Sequence, residues 1–483
     1  MKAAALAVMC LVAVALASGP DTLWIRTLDK GFDESGSGIA SRSNTLAAVG
    51  YFFGANYNDD WLVARLNQDG DTVWTRTYDG GADEDAVGTC IDARSNIFVT
   101  GRGYSYSEAG RRNPLRFRGG NRTRPVFGKS DVYFALTAKY DSLGELKWLR
   151  ADTNHAATGI AVDSIGNGYV VGAHIVDTMN WDTWLAKISP LGDTIWSKTF
   201  NFAQFEVGYG PALDASGNIA MAIYAGDSLG FDCLALMLAA DGHVIWSARY
   251  DRGPNDACSG VAIDHRDNVI LAGSITRDTL SDALVLKYDS AGTLVWDKVY
   301  DFDTYDEMIG AACDSAGDIY AAGDASPDYY TSYCLTVKLD SMGDTLWTAR
   351  YDEQYSGAYG IALDPTGDPV IVGTTTMADM DLLMIKYSAL TGIAESPLPT
   401  PAHARAHAII TAGPDFVLSV PCTGRYDVRL CDLTGRCREV LYSGNLSSGA
   451  HRLSLAGQPA GNYVVRVTAP AGAISCQRLA LVR

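Results

Sequence analysis

A tryptophan, a glycine and an aspartate that each return about every 50 residues predict an all-β chain, a seven-bladed β-propeller followed by a small C-terminal β-sandwich. The tryptophans are Trp24, Trp74, Trp148, Trp196, Trp246, Trp296 and Trp347, at intervals of 50, 74, 48, 50, 50 and 51. Gly38, Gly88, Gly159, Gly210, Gly260, Gly310 and Gly360 hold a second column, and Asp92, Asp163, Asp214, Asp264, Asp314 and Asp364 follow as a third. Only the first copy, at Ser41-Arg42, lacks that acid.

Each copy reads as four short strands. The first is small and Gly-rich, as in TGIAVD from Thr158, which suits a crowded axis where larger side chains would not fit. It ends in a turn such as DSIGN or DASGN, in which Asp bonds its own backbone and Gly supplies a positive φ. A second strand follows (NGYVVG, NVILAG), and then an acid-led third such as DTWLAKI from Asp182 or DALVLKY from Asp282. After a tight DSLG or DSAG turn comes the tryptophan strand, whose Trp and Tyr suit the wide gap between blades at the rim.

Counting strands shows how the ring shuts. The chain opens on a lone tryptophan strand around Trp24, and its last copy stops near Lys386 with three strands and no tryptophan. Joined, the two ends complete one blade and remove two open sheet edges.

The formal charge of -18 argues against nucleic acid, because binding phosphates requires a surplus of Lys and Arg. That charge is uneven: from Ile393 onward nine Arg stand against five acids and no Lys. At the N-terminus Lys2 precedes an apolar run, Ala3 to Ala17, ending in Ala15-Leu16-Ala17, the pattern of a cleaved signal peptide over residues 1–17. No second long apolar run follows, so no transmembrane segment is expected. The reading is therefore of a secreted or cell-surface protein, with the propeller over 18–390, a Pro/Ala-rich linker over 391–410 and the sandwich over 411–483. Cys90, Cys233, Cys258, Cys313 and Cys334 sit in apolar strands as small buried hydrophobes. Cys422, Cys431, Cys437 and Cys476 favour two disulfides, in any of three pairings.

Two resemblances follow from these residues. The succession of W, acids, GIAxD, xxGN, VxG and KYDxxGxxxW, from Asp21 to Tyr387, resembles the bacterial seven-bladed β-propeller repeat family, whose members are typically exported and have no assigned reaction. CDLTGR, LSSGAHRL, AGNYVVRV and the terminal RLALVR, within Thr411 to Arg483, resemble the C-terminal sorting domain of the type IX secretion system. The second resemblance implies the secretion machinery as a partner.

No recognisable catalytic motif stands in a suitable context. The sialidase Asp-box needs Gly three residues before Trp, and here Gly70 lies four before Trp74. AKYDSLGELKW, from Ala138 to Trp148, comes near the tryptophan motif of quinoprotein dehydrogenases, but its turn is one residue shorter. The seven histidines stand at unrelated positions. Two features exceed scaffolding. The long interval holds a basic loop, with Arg111, Arg112, Arg116, Arg118, Arg122 and Arg124 as a candidate site for an acidic glycan, a protein or another cell-surface component. Four residues before each axial glycine stand Glu34, Glu84, His155, Glu206, Asp256, Asp306 and Ser356. The five carboxylates predict either a ring at the channel mouth, with calcium as candidate cofactor shared by Asp256 and Asp306, or caps on blade-to-blade turns. Noncatalytic binding is the leading expectation. A polysaccharide lyase or hydrolase at the channel mouth, and a structural envelope component, are the alternatives.

Overall fold

The computed structural model describes residues 20–391, with breaks at 31–32, 55–57, 106–131, 178, 228–229, 278–279, 329–330, 353–354 and 377–379, and strands within 407–481. Among the described residues every regular element is a strand. The chain divides into two compact units, Met1–Ile393 and Ala394–Arg483.

The first unit is a β-propeller of antiparallel quartets. Glu34–Arg42, Thr45–Phe53, Asp59–Leu66 and Thr72–Tyr78 form one four-stranded sheet. Asp83–Ile91, Ile97–Ser105, Val132–Tyr140 and Leu146–Thr153 form the next. The strands from His155 to Tyr351 repeat the pattern, stitched into a longer sheet by the single parallel pairs Trp181↔Phe205, Phe231↔Asn255 and Ser281↔Tyr305. In the last quartet Gly357–Leu363, Pro369–Thr376 and Met380–Thr391 are completed by Pro20–Leu28 from the other end of the unit, with Ile25 opposite Ile385.

Burial explains the two kinds of strand. Inner strands such as Ile219–Gly226 are covered on both faces by neighbouring blades, so they read as continuous apolar runs. Outer strands such as Thr194–Phe200 have one wet face and alternate half-buried Trp196, Lys198 and Phe200 with exposed residues. At the axis the glycine column is a steric requirement. A Cβ on Gly159 would fall 1.5 Å from the Gly210 carbonyl oxygen, and one on Gly88 2.9 Å from the Gly159 Cα. The column runs on until a Cβ on Gly360 would meet the Ile39 amide nitrogen at 3.4 Å, which carries the contacts back to the first quartet.

The tryptophan strand fastens each blade to its neighbour. Trp148 lies against Gly192 of the next blade's tight turn and donates from Nε1 to the Pro190 carbonyl at 3.0 Å. Trp74, Trp246 and Trp296 do the same to the carbonyls of Ser142, Ser290 and Ser341. Trp24, on the strand from the chain's start, donates to Gln68 and so fastens the shared blade to the first. Trp347 is buried, yet its Nε1 has no partner among the described residues. Its neighbour is the shared blade, whose third and fourth strands come from opposite ends of the unit, so no tight turn joins them to offer the carbonyl.

A further column ties turn to strand. Asp163, Asp264 and Asp364 accept the amides of their own turns and face Lys187, Lys287 and Lys386 of the third strand. The first blade, which lacks the Asp, turns between Arg42 and Thr45 with Ser43 at φ 52 instead. Asp214 keeps its turn amides, but Met237 stands where the other blades have a cation.

In the second unit His407–Ile410, Asp415–Val420 and Gly449–Ser454 form one antiparallel sheet, and Cys437–Leu446, Gly424–Cys431, Gly461–Thr468 and Ile474–Leu481 another. Among its described residues Tyr426, Val428 and Leu430, at alternate positions, are fully buried. Cys431 is opposite Cys437 in the register. The side chains of its four cysteines lie outside those described. The five propeller cysteines are free thiols, with Cys233, Cys258 and Cys334 buried.

Candidate functional site

The acid column is buried where the chain crosses from one blade to the next. Glu34, Glu84, Glu206 and Asp256 are 0% exposed and Asp306 is 1% exposed. Each accepts amides of the crossover that precedes it: Glu84 from Gly80 and Ala82, Glu206 from Phe202 and Ala203, Asp256 from Arg252 and Gly253, Asp306 from Phe302 and Asp303, and Glu34 from Lys30. The other two members of the column do similar work. Ser356 accepts the Cys334 amide and donates to the Tyr351 carbonyl, and His155 Nδ1 lies 2.9 Å from the Thr153 carbonyl oxygen. Of the two expectations for these acids, the geometry favours capping the crossovers.

Carboxylates close to these acids come from the same junctions. Glu34 groups with Asp29 and Asp381, Glu84 with Asp60 and Asp79, and Asp256 with Asp232 and Asp251; within each group the ligand atoms lie within 4.8 Å of one another. The partner of Asp256 is thus the Asp232-Asp251 pair of its own junction. In sequence these partners were visible as the acid leading each third strand and the acid closing each fourth. Burial pushes the Glu84 carboxyl up to about 7 against the pull of the Gly80 and Ala82 amides. Asp306 and Asp60 rise to about 6 for the same first reason, and Glu206 and Asp256 move the same way.

A second cluster involves the first and second strands of their quartets. Arg102 pairs with Asp85 at 3.0 Å across neighbouring strands, and its side chain is 54% exposed. Burial works against the Arg102 charge, but Asp85, followed by Tyr209 and Tyr51, outweighs it and raises the guanidinium's pKa. Tyr51, Arg102 and Tyr209 belong to three different quartets. Burial first, then Asp85, Asp83 and Asp60, push the neighbouring Asp59 carboxyl up to about 8. Sequence reasoning missed this cluster: Arg102 belongs to Ile97–Ser105, and nothing in its sequence neighbourhood marks it. Arg111, Arg112, Arg116, Arg118, Arg122 and Arg124 lie outside the described residues. The histidines are not all unrelated: His155 and His174 are cross-strand partners with ring centroids 4.7 Å apart, and Trp184 packs 4.5 Å from His155.

No family model matches the chain, and no curated protein matches it either. Among solved structures it is similar to the Dos1 propeller, at 8% identity over 75% of this chain and 94% of that one, with a TM-score of 0.43. The Sqt1 structure from Chaetomium thermophilum matches at 12% identity over 76% and 98%, with a TM-score of 0.45. The β-propeller domain of the Trilobed protease from Pyrococcus furiosus, which has an open velcro topology, matches at 12% over 75% and 95%, with a TM-score of 0.41. Likeness at this level bears on no activity. No helix among the described residues is long and apolar enough to cross a membrane.

Proposed function

We propose that the chain is an exported or cell-surface seven-bladed β-propeller that acts as a noncatalytic binding scaffold, with a C-terminal β-sandwich serving secretion or attachment. One observation carries the binding role. The repeated acids are engaged in holding blade crossovers, while the partly exposed Arg102 pairs with Asp85 and is near enough to Tyr51 and Tyr209 of two other blades for their charges to act on it. A partly exposed charged pair with tyrosines in its neighbourhood suits a polar ligand such as a glycan or a protein segment. Export rests on the apolar Ala3–Ala17 run, and the sorting role of residues 411–483 on their resemblance to a type IX sorting domain.

The enzyme reading keeps one specific support. Asp59, pushed to about 8, lies close enough to Arg102 for their charges to interact, and lyases and hydrolases need such a proton-holding acid beside a cation. A glycan and protein array with the chain from Ser18 onward tests both readings. Saturable binding with the bound polymer recovered intact supports the scaffold. Shortened or unsaturated polymer supports the enzyme, and the absence of any binding supports a purely structural envelope role.

A further inference from the structure

Three carboxylates meet at the crossover between Val244–Tyr250 and Asn255–Ile263: Asp232 of the third strand, Asp251 just past the fourth and Asp256 at the start of the next blade. Their nearest oxygens lie within 4.8 Å of one another, and the cysteines nearby are not part of the group. Asp256 is 0% exposed. Its Oδ2 accepts the Arg252 amide at 2.6 Å and the Gly253 amide at 3.2 Å, whereas its Oδ1 is buried with no hydrogen-bond partner among the described residues. A buried carboxylate oxygen left this way is unfavourable unless something positive meets it.

The neighbouring cations do not complete the set. Arg249 holds Asp232 Oδ2 at 2.5 Å, and Arg252 is engaged with Asp297 at 2.9 Å. Three carboxylates against one guanidinium leave the junction two negative charges in excess. The related junction around Glu84 shows how the chain can meet this demand from within. There Asn58 Nδ2 donates to Asp60 Oδ1 at 2.9 Å, and both oxygens of Glu84 take backbone amides. In the register of the third strand Gly230 stands where Asn58 stands, so the Asp232 junction has no side chain to supply that donor.

We propose that Asp232, Asp251 and Asp256 form a divalent-cation site, with calcium as the ion. The donor set is all oxygen, which excludes the nitrogen and sulfur preference of zinc. Calcium accepts roughly six to eight oxygens in irregular geometry, so three carboxylates can be completed by water through the exposed Asp251, whereas magnesium demands a near-ideal octahedron. Burial raises the Asp256 carboxyl against the two amides, with Asp232 and Asp251 adding to the rise, and a bound cation would reverse that balance. The ion would join the blade that contributes Asp232 and Asp251 to the one that contributes Asp256. This goes beyond the scaffold reading and does not depend on it.

The test is calorimetric titration of the whole chain, stripped with a chelator, with calcium chloride alone, alongside melting with and without calcium. The expected result is saturable binding and a higher melting temperature in calcium. Asp251→Asn, at an exposed position, should lose one bound calcium per chain and most of the thermal shift while melting like the parent without calcium. Asp301→Asn, the corresponding position at the next junction, should keep both. No calcium binding by the parent, or an Asp251→Asn chain with unchanged stoichiometry, would overturn the assignment.

Discussion

Removing the acid and removing the base of one buried ion pair should have very different consequences in this fold. Lys287 Nζ lies 2.9 Å from Asp264 Oδ2, with side chains 6% and 2% exposed. Burial pushes the Asp264 carboxyl up, but the bonds from the Asn268 side chain, Lys287 and the Arg266 and Asn268 amides outweigh it and hold its pKa below the ordinary value. Asp264→Ala removes all of them. It leaves the Lys287 ammonium buried beside the Ser341 carbonyl at 3.4 Å, and breaking such a pair typically costs about 3–5 kcal/mol. Lys287→Met is milder, because the carboxylate keeps its Asn268 and Arg266 donors. The protein contains this arrangement already: Asp214 accepts the Ser216 and Asn218 amides and the Asn218 side chain, and Met237 takes the lysine's place. A loss of about 1.5–3 kcal/mol is expected, the scale of one hydrogen bond to a charged group. The sign with pH follows from the lowered carboxyl. Its stabilisation is present above the unfolded value near 3.8 and is lost as pH falls through the folded value, so Lys287→Met should narrow that acid window. Urea unfolding at pH 7 and in a series from pH 4 down to pH 2 measures both effects. A Lys287→Met chain as unstable as Asp264→Ala would refute the claim that the turn donors carry the acid.

Gly159→Ala should destabilise by more than about 3 kcal/mol, since its Cβ meets the Gly210 backbone at 1.5 Å and a blade must move to admit it. Gly166→Ala, whose Cβ meets only Pro190 at 3.6 Å but whose φ is 92°, should lose only about 1 kcal/mol; comparing the two urea midpoints checks the steric argument. Because burial raises the folded Glu84 carboxyl from 4.5 to about 7, its contribution is full below the unfolded value and is lost as pH rises through the folded one. Glu84→Gln should therefore flatten the decline in melting temperature between pH 5 and pH 8. Replacing Arg111, Arg112, Arg116 and Arg118 by Ser should leave the melting temperature unchanged and weaken adhesion to anionic surfaces, most at low salt. Equal adhesion at low salt would reduce that loop to a spacer.

The propeller was legible because its constraints repeat. Gly159 and Gly210 must be glycine for two backbones to touch, and Trp148 must reach the turn of the next blade, so both recur at the blade period. The shared last blade could be counted from a tryptophan strand without a copy around it. Chemistry was less legible, since equal spacing fixes equivalent positions but not the direction in which they face. Glu84 and Asp256 share a column, and only the fold shows that each turns into its own crossover. Arg102 was hidden differently. It sits near the end of Ile97–Ser105, next to an arginine-rich stretch of sequence, and composition alone cannot show where the strand stops. The influence of Tyr51 and Tyr209 on Arg102 comes from blades far apart in sequence, where no short-range pattern exists to be read.

Deletion of residues 20–28 removes the strand that completes the last quartet. That strand pairs along Met380–Thr391, carries Trp24 to the Gln68 carbonyl and borders the fully buried Leu382 and Met384. The truncated chain should melt at least about 5 °C lower, the scale expected for losing several kcal/mol from a domain of this size. A synthetic peptide of residues 20–28, added in excess, should restore most of the loss. A truncated chain that melts with the intact one, and ignores the peptide, would contradict the closure of the ring by its own N-terminal strand.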